Sequence, residues 1–336
     1  MTSFEPNSTD HCKVPNPFTY KVFAWMVTGE FIFGLPLNLS VLYVFIFRYK
    51  FWKNKSIFLF NIVVADFLLV ACLPVKAYHF YNGERRSEDD SVCKAMLFML
   101  FLNRGASIAF LITLSIDRYF NVVHLGRKNF VKVLKKSPHI SVVIWLLLLP
   151  LTIPTMLRTF ECCNSHGRNK SMMKENNVTD TFREVVFFSQ IVIPFIILVY
   201  CTVCIVNRLR KKTVGEKTKL RRAVWVVMSV LVVFSICFLP CATARAVLLG
   251  VRLMENQNAE DIVVQIYDGL MVLSFTDCLL DPLVYCFCNS GFKDAYISTF
   301  CPKFLQRRLL TSRATGGIVT TTTSGARTIY LPMIYK

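Results

Sequence analysis

Residues 54–81 read NKSIFLFNIVVADFLLVACLPVKAYHFY, and the fold follows from how this stretch treats charge. Between Ile57 and Val75 one charged side chain, Asp66, interrupts an otherwise apolar run. A hydrocarbon core of roughly 30 Å needs about 20 helical residues, so the stretch predicts a membrane span with a carboxylate near mid-depth. Working outward, comparable apolar stretches lie at 20–48, 92–123, 138–160, 184–207, 221–250 and 262–287. The expected fold is therefore an all-α membrane protein, a seven-transmembrane helix bundle. The composition agrees: 54% of the 336 residues are hydrophobic, more than a soluble core of this size requires. The net charge of +18 does not argue for nucleic acid, because the basic residues fall in short runs between apolar stretches.

Those basic runs orient the bundle, since short loops rich in Lys and Arg stay cytoplasmic. The connections Arg48 to Lys55, Arg118 to Lys136 and Arg208 to Arg222, with the chain after Tyr285, hold 25 of the 39 Lys and Arg residues. The opposite face holds ten, and Lys76, Lys94, Arg104 and Arg245 lie within spans. The expected organisation is an extracellular N-terminus at 1–19, a seven-span domain at 20–288, an amphipathic cytoplasmic helix at 289–301 and a disordered cytoplasmic tail at 302–336. Residues 1–19 are polar and proline-rich and carry no cleavable signal, so the first span is expected to start insertion. The glycosylation sequons at Asn7, Asn169 and Asn177 fall on the predicted outer face. The match at Asn38 falls inside a span, where glycosyl transfer does not reach.

Four of the thirteen cysteines, Cys12, Cys93, Cys162 and Cys163, are placed outside, where disulfides form. A bridge from Cys93, at the mouth of the third span, to Cys162 or Cys163 pins the second outer loop over the bundle. The other loop cysteine then takes Cys12, or stays free along with it. At the inner end, Asn289 to Ile297 has apolar residues spaced to lie along the bilayer, and Cys301 is either palmitoylated or free. The tail TSRATGGIVTTTTSGAR (311–327) is low in complexity. Its hydroxyls are phosphorylation sites or simply part of a flexible end.

Polar groups inside a span mark function by default. Asn38, Asp66, Ser107, Asp277 and Asp281 share one level, and three carboxylates so close need a cation or protons. A sodium ion held by Asp66, Ser107, Asp277 and Asp281, protonation, or a purely structural hydrogen-bond network each answers that need. Prolines 150, 194, 240 and 282 each remove a backbone hydrogen bond and predict kinks. At the inner end of the third span, Asp117 can hold the Arg118 guanidinium, a latch whose release presents a cation to a partner.

Asn38, Ala65-Asp66, Cys93, Asp117-Arg118-Tyr119, Trp145, Pro194, Cys237-Phe238-Leu239-Pro240 and Asp281-Pro282-Leu283-Val284-Tyr285 each fall in a particular span. In that order they resemble the rhodopsin-like G-protein-coupled receptors over about residues 20–301. The resemblance implies a plasma-membrane receptor with heterotrimeric G protein and arrestin as partners, no enzymatic activity, and no cofactor beyond an allosteric sodium ion. It also implies that Arg118 engages the G protein, with Phe238, Pro240, Asp281, Pro282 and Tyr285 in the switch. Phe238 stands where that family usually has Trp, Thr202 where it has Tyr, and Asp277 where Asn is common.

In the outer half, Lys76, Arg104 and Arg245 are the expected fixed charges, with no intramembrane carboxylate at that depth, so the pocket calls for an anion. Arg104 follows Cys93 by eleven residues, which places it roughly 16 Å into the bundle. Leu100 excludes an amine-pairing aspartate at its position, and span seven has no lysine for retinal. Leu102 to Ser107, Asp117 to His124, and Cys237 to Pro240 followed by Arg245 are similar to the hydroxycarboxylic acid receptors and their oxoeicosanoid relatives. That similarity implies a carboxylate anchored by Arg104 and coupling to inhibitory G proteins. Phe275 stands where those acid receptors use a tyrosine, which leaves room for a fatty acid derivative. The competing expectation is an anion transporter using the same cations, although the paired repeats of transporters are absent from the sequence.

Overall fold

A computed structural model describes residues 14, 16–48, 57–85, 87, 90–123, 137–153, 177–211, 214–254, 256–288 and 290–300. The sites expected at Asn7, Cys12, Cys162, Cys163, Asn169 and Cys301, and the side chains of Asn177 and Tyr285, lie outside what is described. The chain divides into the units Met1–Ala295, which contains every span, and Tyr296–Lys336.

The helices are α1 (Pro17–Tyr43, continued by a π-helical turn at Val44–Arg48), α2 (Ile57–Tyr81), α3 (Asp90–Val123), α4 (Ser137–Thr152), α5 (Asn177–Arg210) and α6 (Val214–Cys237). They are followed by α7 (Leu239–Leu253), α8 (Gln257–Phe275), α9 (Asp277–Cys288) and α10 (Ser290–Phe300). There is no β-strand among the described residues. Six of the spans are long and apolar enough to cross a membrane, and Pro138–Thr152 is a shorter apolar helix. That short helix is the described part of the span expected at 138–160. Outward faces such as Trp25, Ile32, Phe33, Leu146, Leu147, Val192, Ile193 and Ile196 are exposed and apolar, as lipid requires.

Spans six and seven are each two helices. Pro240 cannot donate a backbone hydrogen bond, and the helix is interrupted two residues earlier at Phe238. Span seven breaks at Thr276, where the backbone tightens to i→i+3 bonds from Thr276 to Leu273 and from Leu279 to Thr276. The two breaks face each other, with the Cys237 sulfur 3.7 Å from the Thr276 hydroxyl. The expected kinks at Pro150 and Pro194 cause no such break: α4 and α5 run through them.

Lipid offers no hydrophobic drive for helices to associate, so packing and polar contacts hold the bundle. Small residues allow close approach: a Cβ on Gly34 would stand 3.3 Å from Val70, and one on Gly269 would stand 2.9 Å from the Phe23 ring. Tyr20, Val27, Leu69, Leu73, Phe80, Val272, Phe275 and Cys278 form a buried cluster where α1 and α2 meet spans seven's halves α8 and α9. Between α2 and α4, Asn61 accepts from the Trp145 indole at 2.8 Å and donates to the Ser141 hydroxyl at 3.2 Å. After α2, Gly83 adopts φ +74, a conformation open to glycine, and its carbonyl accepts from Val14 N–H at 3.0 Å.

Candidate functional site

The mid-depth polar level forms as expected: Asn38, Asp66, Ser107 and Asp281 are 0% exposed and Asp277 is 1% exposed. Pro282 leaves the carbonyl four residues back, that of Cys278, without its helical donor. Asn38 Nδ2 supplies a replacement at 3.0 Å, and also donates to the Gly34 carbonyl at 3.0 Å. Ser107 donates to Asp281 Oδ2 at 3.3 Å, and the Cys278 N–H donates to Asp277 Oδ1 at 2.7 Å. The remaining oxygen of Asp281 and the Asn38 carbonyl oxygen are buried without a hydrogen-bond partner. Yet no three Asp, Glu, His or Cys side chains among the described residues converge as metal ligands. One buried carboxylate on α1 escaped sequence reasoning: Glu30 is 6% exposed and one of its oxygens has no hydrogen-bond partner.

The outer half differs from expectation in one respect: carboxylates are present at that depth. Asp268 on α8 and Glu184 on α5 both lie there, and both hold arginines. Arg85, in the turn after α2, donates from Nε to Asp268 Oδ2 at 2.5 Å and from Nη2 to Oδ1 at 2.8 Å. Arg245 donates from Nε to Glu184 Oε2 at 3.0 Å, and its Nη2 bonds Oε1. Farther out, Arg252 donates to Glu260 at 2.8 Å. The sequence signal for Asp268 was its place inside span seven. Glu184 is the first residue of the span expected at 184–207, but α5 begins earlier, at Asn177.

Arg104 is set apart. Its Nη2 lies 3.4 Å from the Ser274 hydroxyl and 3.9 Å from the Cys241 sulfur. The Phe187 ring is 5.4 Å from its central carbon. No carboxylate lies within ion-pair distance of it among the described residues. Lys76, expected among the charges of the pocket, lines an outer cavity with Arg85 and Asp268, donates to the Arg85 carbonyl at 2.9 Å and sits 4.2 Å over the Phe80 ring. Phe275 is buried in the α1–α2–α8 cluster, and its neighbour Ser274 is the residue that meets Arg104.

At the inner end, the Asp117 carboxylate accepts from Asn121 Nδ2 at 2.9 Å. The Tyr119 ring packs 5.8 Å from Tyr200 on α5. Thr202 turns its hydroxyl back to the Leu198 carbonyl at 2.7 Å. Phe238 is 1% exposed and packs 5.3 Å from Phe234. Cys93 is disulfide-bonded, with its partner outside the described residues.

Seven spans with a buried polar level and an outer cationic site are the architecture of a class of membrane receptor. The family model of the 7 transmembrane receptors of the rhodopsin family matches residues 37–285, and the chain belongs to that family. It is therefore a multi-pass membrane G-protein-coupled receptor rather than an enzyme or a transporter, with a heterotrimeric G protein and a small-molecule ligand as partners. It is 33% identical to human hydroxycarboxylic acid receptor 2 over 303 residues, covering 89% of this chain and 82% of that one. It is 31% identical to the mouse 12-(S)-hydroxy-5,8,10,14-eicosatetraenoic acid receptor over 290 residues, covering 85% and 91%. To human oxoeicosanoid receptor 1 it is 26% identical over 265 residues, covering 78% and 68%.

Proposed function

We propose that the chain is a plasma-membrane receptor for a carboxylate, a hydroxycarboxylic acid or an oxidised fatty acid, with Arg104 as the head-group anchor. One observation carries the reading. Of the guanidiniums described in the outer half, Arg85, Arg183, Arg245 and Arg252 contact carboxylates, whereas Arg104 has only neutral partners. A guanidinium in low dielectric without a counter-ion favours a bidentate carboxylate over water. The names of the relatives, which include hydroxy acid and eicosanoid receptors, support the same ligand class.

The same likeness supports signalling through inhibitory G proteins, with arrestin as a further partner. The basic runs support an extracellular N-terminus and a cytosolic C-terminus. The orphaned oxygens of Asp281 and Asn38 suit a sodium ion shared with Asp66 and Ser107, and protonated carboxyls serve the same balance. The test is inhibition of cAMP in transfected cells by chain-length series of hydroxy acids and oxidised fatty acids. An unchanged potency in Arg104→Ala overturns the anchoring. For sodium, agonist affinity is measured with NaCl exchanged for choline chloride: a difference in wild type that disappears in Asp66→Asn supports the ion.

A further inference from the structure

The Arg245–Glu184 pair joins residues 61 positions apart, on α7 and α5. Both side chains are largely buried, 12% and 17% exposed. The carboxylate takes the Nε–Nη2 edge of the guanidinium with both oxygens, the geometry in which arginine recognises a carboxylate ligand. Arg183 adds a weaker contact, 3.3 Å to Oε1. The Tyr267 ring lies 5.5 Å from the Arg245 central carbon. The guanidinium fork of Arg245 is thus already filled by an internal carboxylate.

Its position relative to the anchor gives this pairing a consequence. Arg104 touches Cys241, and Cys241 and Arg245 are four residues apart on α7, so they share a face about one turn from each other. A ligand whose head group lies on Arg104 passes Arg245 at the next level. A second carboxylate arriving there meets a filled fork and the negative charge of Glu184, and like charges in a desolvated site reject each other strongly.

We propose that Glu184 is a specificity-determining residue: by filling the carboxylate fork of Arg245, it restricts the receptor to ligands that carry one carboxylate. The inference rests on the carboxylate reading of Arg104. Neutralising Glu184 leaves a buried guanidinium without its counter-ion, which recruits an anion from the ligand instead.

Two measurements test this. The first needs no ligand: purified receptor is treated with phenylglyoxal, which modifies guanidiniums, and the labelling of Arg245 relative to Arg104 is read by mass spectrometry. Arg245 is protected in wild type and becomes labelled in Glu184→Gln and Glu184→Ala. Equal labelling of Arg245 in wild type and both variants overturns the proposal.

The second compares G-protein activation by chain-matched pairs, octanoate with octanedioate up to hexadecanoate with hexadecanedioate. In Glu184→Gln the half-maximal concentration of the dicarboxylates falls about tenfold relative to the monocarboxylates, equivalent to ~1.4 kcal/mol. The gain disappears in the double variant Glu184→Gln/Arg245→Gln, which removes both charges together and so avoids a stranded one. An unchanged preference in Glu184→Gln at normal surface expression overturns the proposal. If no carboxylate activates the wild type, or Arg104→Ala responds like it, the reading of Arg104 fails instead. The labelling result then decides whether Glu184 guards Arg245.

Discussion

Arg85 and Asp268 form a two-point ion pair across 183 residues, 2.5 Å from Nε to Oδ2 and 2.8 Å from Nη2 to Oδ1, each side chain 5% exposed. The Tyr20 hydroxyl donates to the same Oδ2 at 2.7 Å. The turn after α2 is thereby tied to both α8 and α1 at the outer mouth. Breaking a buried pair by removing one partner leaves an uncompensated charge and costs about 3–5 kcal/mol. Arg85→Ala and Asp268→Asn are each expected to lower the unfolding temperature of the solubilised receptor sharply. The double change Arg85→Met/Asp268→Leu recovers most of the loss. Tyr20→Phe, which removes one hydrogen bond of the set, costs about 1 kcal/mol.

The Arg104 anchor predicts a graded series. Losing a buried, hydrogen-bonded charge partner costs a ligand about 2–5 kcal/mol, so Arg104→Ala weakens a carboxylate agonist at least about thirtyfold. Arg104→Lys keeps the charge but loses the planar fork, and falls between wild type and Arg104→Ala. Dose–response curves for cAMP inhibition, normalised to surface expression, check the order.

Asn38 substitutes for the backbone donor that Pro282 denies the Cys278 carbonyl. Asn38→Ala leaves that buried acceptor unpaired, at about 1–3 kcal/mol. In a Pro282→Ala background, residue 282 regains an N–H and the cost of Asn38→Ala shrinks. A double-mutant cycle in thermal stability measures the coupling, and additive losses contradict it.

Gly269 faces Phe23 so closely that a Cβ would stand 2.9 Å from the ring tip and 3.1 Å from its neighbour atom. Gly269→Ala is expected to destabilise by about 1–3 kcal/mol through overpacking. Phe23→Leu in the same chain relieves the clash. Failure of that second change to restore stability places the strain elsewhere.

The spans were legible because each is a run of apolar residues of membrane length, and the family because its motifs sit at fixed places within those runs. The breaks in spans six and seven were legible only in part. Pro240 announces the interruption at Phe238, but nothing at Thr276 does so, because that turn is closed by local i→i+3 bonds rather than enforced by a proline. Lys76 was expected among the charges of the pocket, and it does line an outer cavity with Arg85 and Asp268; its contacts with the Arg85 carbonyl and the Phe80 face were not legible, because they depend on where the chain goes after α2.

The sequence by itself determined the number and order of the spans and the residues Asn38, Asp66, Ser107, Asp277 and Asp281 of the buried polar level. Hydropathy and motif spacing are properties of the chain read along its length. Which of the outer arginines lacks a carboxylate partner was decided only by the tertiary structure. Arg85, Arg104 and Arg245 are equal charges in the sequence, and they become different when helix packing brings Asp268 to the first and Glu184 to the third. Charge pairing in low dielectric depends on ångström distances between helices, and those distances separate the one arginine with neutral partners from the two that hold carboxylates.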